Sequence, residues 1–159
     1  MRTLWAPWRM EYIRSEKAGG CIFCEKVGED RDAENLILFR GRYHFIIMNA
    51  YPYNNGHLMI APYAHVAALE DLPPETRHEM MDLAARCARA LKASFHPDAL
   101  NAGFNLGAAA GAGIADHMHM HVVPRWNGDT NFMPVLGEVR VISEALNSTW
   151  KRLKETWPK

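Results

Sequence analysis

No charge of one sign dominates this sequence. Eighteen Lys and Arg balance eighteen Asp and Glu over 159 residues. No global field therefore draws the chain toward nucleic acid or an anionic membrane, and an anionic substrate has to be held locally. No hydrophobic run approaches the length of a membrane span. The opening residues 1–9, MRTLWAPWR, lack the apolar core of a signal peptide, so a cytoplasmic protein with no membrane partner is expected. Cysteine is scarce. The chain has three, an odd number with two placed close together, which reads as free thiols or metal ligands rather than a disulfide framework. Repeats, low-complexity tracts and linkers are also missing. A single domain over residues 1–159 is expected, long enough to bury a core.

What is present begins with two strand-like runs, residues 36–39 and 43–48, joined around Gly41 as an antiparallel pair. Asn54-Asn55-Gly56 is a turn signal before a short strand over 57–61. Asp71-Leu72-Pro73-Pro74-Glu75 opens a helix, with Asp71 as the candidate cap and prolines in the first turn. Met80, Leu83, Ala84, Cys87, Leu91 and Phe95 keep helical spacing until His96-Pro97 stops it. Cys87 falls on that apolar stripe and reads as core. Phe104-Asn105-Leu106 predicts another strand, followed by a loop of Gly and Ala over 107–113. Ile142, Ala145, Leu146, Trp150 and Leu153 predict a second amphipathic helix. One antiparallel sheet with two helices laid on one side is an α+β domain. Trp5 and Trp8 expose too much apolar surface for a free terminus and are expected to dock on the domain or on a partner subunit.

The chemistry concentrates in His117-Met118-His119-Met120-His121-Val122-Val123. In a strand, alternation puts the three histidines on one face and sends Met118, Met120 and Val122 into a core. Same-face side chains then lie roughly 6.5–7 Å apart, from a rise of about 3.3 Å per residue. That spacing seats a phosphoryl group among imidazoles. His119, flanked on both sides, is the natural nucleophile, and His121 can hydrogen-bond a phosphate oxygen as charge develops. The competing reading is a catalytic metal centre, because histidines at i and i+2 on a strand also chelate. Cys21-Ile22-Phe23-Cys24 has the spacing of half a zinc site, or of two plain thiols. Trp126 either stacks on an adenine or packs. Arg125 either contacts polyphosphate or, as a lone Arg more often does, stands as a solvated surface charge, and His44 and His78 carry no motif.

HMHMHVV resembles the signature of the histidine triad (HIT) superfamily, and the similarity extends over nearly the whole chain. Asn49 and His57, with Pro52 and Gly56 between them, resemble the Asn…Pro-Gly-His segment that lines the nucleotide pocket of that superfamily. Asn105 resembles an asparagine that contacts phosphate. LWAPWRMEYI, CIFC, AGAGIADH and VPRWNGDTNFMP resemble the branch of bacterial diadenosine tetraphosphate phosphorylase-like and hydrolase-like proteins. The resemblance implies five antiparallel strands with two helices, and a homodimer that joins two sheets into one. It implies attack by His119 on the α-phosphorus of a nucleoside polyphosphate, then transfer of the nucleotidyl group to water or inorganic phosphate. It also implies structural zinc on Cys21, Cys24, His65 and His117, a closed tetrahedral set, and no organic cofactor.

One departure from the family pattern affects the choice of acceptor. Many members carry Gln and then Ser or Thr before the first triad histidine, where this chain has Gly113 and Ile114. The segment around Gly111, Ala112 and Gly113 then offers only backbone N–H groups and close approach. The room left by small residues favours a second anion, and hence phosphorolysis, though a plain turn is the competing reading. Two further functions fit the same motif: a purine nucleoside phosphoramidase-like hydrolase, and a nucleotide-binding sensor with little turnover. Zero net charge and the lack of an appended domain argue against nucleic acid.

Overall fold

The computed structural model describes residues 20–129 and 142–158. Strands β1 (Ile37–Arg40), β2 (His44–Met48), β3 (Leu58–Pro62), β4 (Ala99–Phe104) and β5 (Met120–Arg125) build one sheet in the order β1-β2-β3-β5-β4. Every pairing is antiparallel. Among the described residues there are three helices, α1 (Ile22–Gly28), α2 (Pro74–Phe95) and α3 (Leu146–Glu155). Strands β1, β2, β3 and β5 and the two longer helices are the expected ones, β4 lies earlier in the chain than expected, and α1 is an addition. Trp5 and Trp8 lie outside the described residues, as do positions 130–134 of the VPRWNGDTNFMP motif.

Strands β2 and β3 are buried at every position, because the sheet is covered on both faces. Paired residues share a face, which puts Phe45 with Ala61, Ile47 with Met59, and Met59 with His121. Helix α2 packs against β2, β3, β5 and α3. Its buried stripe is the expected one, with Met80, Leu83, Cys87 and Leu91 all enclosed. Burial raises the Cys87 thiol above its ordinary range, which leaves it inert. Helix α3 covers the outer edge of β1, where Trp150 Nε1–H donates to the Ile37 carbonyl at 3.1 Å and Lys154 Nζ to that of Leu38 at 2.9 Å.

Three local expectations need correction. Asp71 does not cap α2: it lies in a short 3-10 turn, Leu69–Asp71, and Pro73 occupies the cap position without a side-chain bond. Two consecutive prolines supply no N–H there for a carboxylate to accept from. Strand β4 starts at Ala99 and ends at Phe104, rather than running through Leu106. It is an edge strand, paired on one side only, whose apolar alternation is reduced to Leu100 and Phe104 with the small Ala102 between them. Regular pairing of β5 begins at Met120, after His117 and His119.

One polar clasp ties the β1–β2 hairpin to α2. Glu79 accepts hydrogen bonds from the backbone N–H of Arg42 at 2.7 Å and of Tyr43 at 2.8 Å, and from His44 Nδ1–H at 2.8 Å. Burial pushes His44 below its usual value, against the pull of Glu79. Burial would raise the carboxyl of Glu79, but these hydrogen bonds hold it below its usual range. At neutral pH the clasp is thus a neutral imidazole donating to a carboxylate. Glu79→Ala orphans three donors and is expected to lower the unfolding free energy by about 2–4 kcal/mol, measured by urea unfolding.

Candidate active site

The histidines sit on the sheet face that carries Phe45, Ala61 and Met59. His121 lies between Met59 on β3 and Gly103 on β4, and a Cβ built at Gly103 would meet open space. The chain leading into β5 is held by the Met118 N–H donating to the Val66 carbonyl at 2.7 Å. Alternation persists through this segment: Met118, Met120 and Val122 are buried as expected. The histidines are nearly as enclosed, at 1% exposure for His117, 5% for His119 and 9% for His121. The rings of His119 and His121 turn toward each other, with centroids 4.7 Å apart, closer than strand spacing alone predicts.

Hydrogen bonds fix the proton on each ring. His117 Nε2–H donates to the Pro62 carbonyl at 2.8 Å, which leaves Nδ1 bare. His119 Nδ1–H donates to the His117 carbonyl at 3.0 Å, which leaves Nε2 bare. Burial pushes both rings below the usual histidine pKa, more than these bonds raise it. His119 therefore presents an unprotonated nitrogen at neutral pH.

His57 completes a directed chain. Its Nδ1 accepts from the Tyr53 backbone N–H at 3.1 Å and lies 3.3 Å from Asn49 Nδ2. The Asn49 amide is oriented by its oxygen, which accepts from the Tyr51 N–H at 2.9 Å. With Nδ1 an acceptor, the His57 proton is on Nε2 and donates to His121 Nδ1 at 2.9 Å. His121 then carries its own proton on Nε2. The result is a bare Nε2 on His119 beside an Nε2–H on His121. His57→Leu removes the donor that sets this polarity and is expected to lower turnover about 100-fold. His57→Gln, which can accept and donate in the same sense, is expected to retain more; steady-state kinetics distinguish the two.

The cysteine pair meets two histidines. Cys21 precedes α1 and Cys24 lies in its first turn. The ligand atoms of Cys21, Cys24, His65 and His117 all lie within 4.8 Å of one another. Cys21 Sγ is 3.2 Å from His117 Nδ1, and Cys24 Sγ is 3.5 Å from His65 Nδ1 and 3.6 Å from His117 Nδ1. Tetrahedral zinc, with S and N ligands at about 2.3 and 2.05 Å, needs S–N separations of about 3.6 Å. Desolvation, with a hydrogen bond and repulsion from Cys21, raises the Cys24 thiol, a strain that a cation would relieve. The bare Nδ1 of His117 and its backbone-bonded Nε2 match a ligating imidazole with its outer contact in place. The donor set fits zinc.

The family model described as the HIT domain matches residues 30–128. This chain belongs to the HIT family. It is 37% identical to the AP-4-A phosphorylase of Mycobacterium tuberculosis (strain ATCC 25618 / H37Rv), over 99% of this chain and 85% of that protein. It is 32% identical to the adenosine 5'-monophosphoramidase of Saccharomyces cerevisiae, over 66% of this chain and 62% of that one. A zinc-bound histidine triad family protein from Mycobacterium smegmatis superposes with a TM-score of 0.70 at 30% identity, covering 87% of this chain and 93% of the other.

Within this HIT domain, Asn49, His57 and His121 come together as one hydrogen-bonded group, and the His119 ring meets that of His121 edge-on. Asn105 directly follows β4, and the glycine loop follows it. Gly107 and Gly111 adopt φ of 83° and 87°, in the region that favours glycine. The N–H groups of Ala110, Gly111 and Ala112 are donated back to carbonyls of Gly107 and Ala108, so at Gly111 and Ala112 the loop offers close approach. Trp126 follows β5 on a turn organised by Asp129, whose carboxylate accepts from Arg125, Trp126 N–H and Asn54 Nδ2. Arg125 is thus an ion-pair partner rather than a free solvated charge. Reading the residues alone missed Tyr53, whose contribution to His57 is a backbone N–H, and Phe23, a spacer between two ligands. Among the described residues no helix is long and apolar enough to cross a membrane.

Proposed function

We propose that this HIT-type enzyme cleaves dinucleoside polyphosphates of the diadenosine tetraphosphate kind through a nucleotidyl-histidine intermediate. The observation that carries the reading is the bare Nε2 of His119, set by the 3.0 Å bond from its Nδ1–H to the His117 carbonyl, next to the proton-bearing Nε2 of His121. In the first step the His119 Nε2–P bond forms as the P–O bond to the departing polyphosphate breaks. His121 Nε2–H donates to a phosphate oxygen as charge develops there. In the second step an acceptor oxygen attacks the same phosphorus and the N–P bond breaks, restoring His119. Asn105 contacts phosphate, the small residues Gly111, Ala112 and Gly113 let it approach the loop closely, and Trp126 stacks on the base. Asn49 and His57 line the same pocket and keep His121 oriented.

Inorganic phosphate is the proposed acceptor. The small side chains of the loop and the 37% identity to a phosphorylase over 99% of the chain support this choice. Cys21, Cys24, His65 and His117 hold structural zinc, which supplies a rigid tie between α1 and the approach to β5 and leaves no open position for water. The enzyme works as a cytoplasmic homodimer, where thiols stay reduced and nucleotides are abundant.

Product analysis with diadenosine tetraphosphate tests the reading. ADP and ATP appearing only with inorganic phosphate are expected. AMP and ATP regardless of phosphate would make the enzyme a hydrolase. Turnover of adenosine 5'-phosphoramidate alone would move it to the activity named for the yeast relative.

A further inference from the structure

Phe23 stands between the two cysteines of Cys21-Ile22-Phe23-Cys24. Its neighbour Ile22 is 42% exposed, whereas Phe23 is 1% exposed. Its ring lies 4.9 Å from the His119 ring, tilted by 58°, and 5.2 Å from that of His117 at 62°. It also meets Phe45 edge-on at 6.2 Å. Among the described residues a single hydrogen bond holds the His119 ring, and the rings in contact with it are Phe23 and His121. One bond at Nδ1 fixes the tautomer but not the tilt of the ring, so packing has to set where Nε2 points.

The element that carries Phe23 cannot hold itself in place. Helix α1 has seven residues and no side-chain cap bond, well below the length at which a helix is stable alone. Its C-terminal end is held by Asn35 and Arg40, which donate to the Lys26 and Val27 carbonyls; its N-terminal turn is set by the burial of Phe23 and by the cluster at Cys21 and Cys24, on either side of that ring. The cluster reaches His119 a second way, since the carbonyl that accepts from His119 belongs to His117, itself a cluster member.

We propose that Phe23 is a positioning residue for His119, and that through it the Cys21, Cys24, His65 and His117 cluster sets the direction of the reacting nitrogen. The metal site is then part of the catalytic geometry without touching substrate. The inference rests on His119 being the nucleophile, as argued above.

The test uses the full chain loaded with zinc, the variants Phe23→Leu and Phe23→Ala, and Ile46→Val as a core variant on the opposite face of the sheet. Three quantities are read: zinc per chain, long-range 15N–1H spectra of the His119 imidazole, and the rate of nucleotidyl-protein formation at saturating diadenosine tetraphosphate. Phe23→Ala is expected to keep one zinc per chain, alter the His119 resonances, and form the adduct at least about tenfold more slowly, with KM within about twofold. Phe23→Leu should recover part of the rate, and Ile46→Val should match the parent. Equal rates in the parent and both Phe23 variants overturn the proposal. So does a loss in Ile46→Val equal to that in Phe23→Leu, or a rate in Phe23→Ala that zinc addition restores in full. If the parent forms no adduct, the functional reading fails and the spectra decide: a parent-like His119 pattern in both Phe23 variants overturns the positioning role.

Discussion

His119→Asn is expected to abolish covalent nucleotidyl transfer, lowering turnover at least about 10,000-fold, or about 5.5 kcal/mol of transition-state stabilisation. Asparagine keeps an amide donor at the position of Nδ1, so the bond to the His117 carbonyl survives while the nitrogen at Nε2 disappears. The loss should therefore fall on chemistry and leave the fold intact. Metal content separates this mechanism from a metal-dependent one built on the triad itself. Cys21, Cys24, His65 and His117 form a cluster that does not include His119, so the variant should retain its zinc in full. A variant that loses activity and metal together would instead show His119 to be a ligand. The pH dependence gives a second check. Burial depresses the His119 pKa, and a depressed pKa keeps the imidazole unprotonated through neutrality. Adduct formation by the parent should thus fall only below the ordinary histidine value of about 6.5.

The parts legible in the sequence are those whose signal is periodic. Alternation placed Met118, Met120 and Val122 in the core and the three histidines on the other face, and helical spacing found α2 and its buried Cys87. The extent of strand β4 escaped because its apolar rhythm is thin: Leu100 and Phe104 pack on the core, but Ala102 between them is small and exposed. Spacing marked Cys21 and Cys24 as half a site, but their partners His65 and His117 come from distant stretches of chain that only the family resemblance connected. The least legible roles depend on direction rather than residue type. Nothing in a sequence says which nitrogen of His57 or His121 holds the proton. That follows here from a backbone N–H at Tyr53 and from the Asn49 amide, which the Tyr51 N–H orients. Phe23 is a similar case, since a phenylalanine between two cysteines reads as a spacer until its ring is found against His119.

Disabling the metal cluster is expected to have the largest effect on stability. Cys24→Ser, or chelation of the parent, should lower the unfolding free energy by about 4 kcal/mol or more, and the melting temperature by roughly 10 °C. The expectation follows from where the ligands lie. Cys21 and Cys24 lie at the N-terminal turn of a helix too short to persist alone, His65 follows β3, and His117 leads into β5, so one ion would tie three distant stretches of chain. Without it, His117 is a buried imidazole facing two thiols. The sign of the pH effect can be worked out from the same groups. The Cys24 thiol of the metal-free protein titrates above its ordinary value, so it is protonated at neutral pH and must release a proton to bind. Zinc-dependent stability should therefore grow as pH rises and shrink as it falls, with proton release measurable in weakly buffered solution. A chelated protein that melts with its untreated parent, with no metal found in either, would overturn the zinc assignment. The tautomer proposed for His119 would be untouched, because the His117 carbonyl holds it, but zinc would no longer help to set the direction of its Nε2.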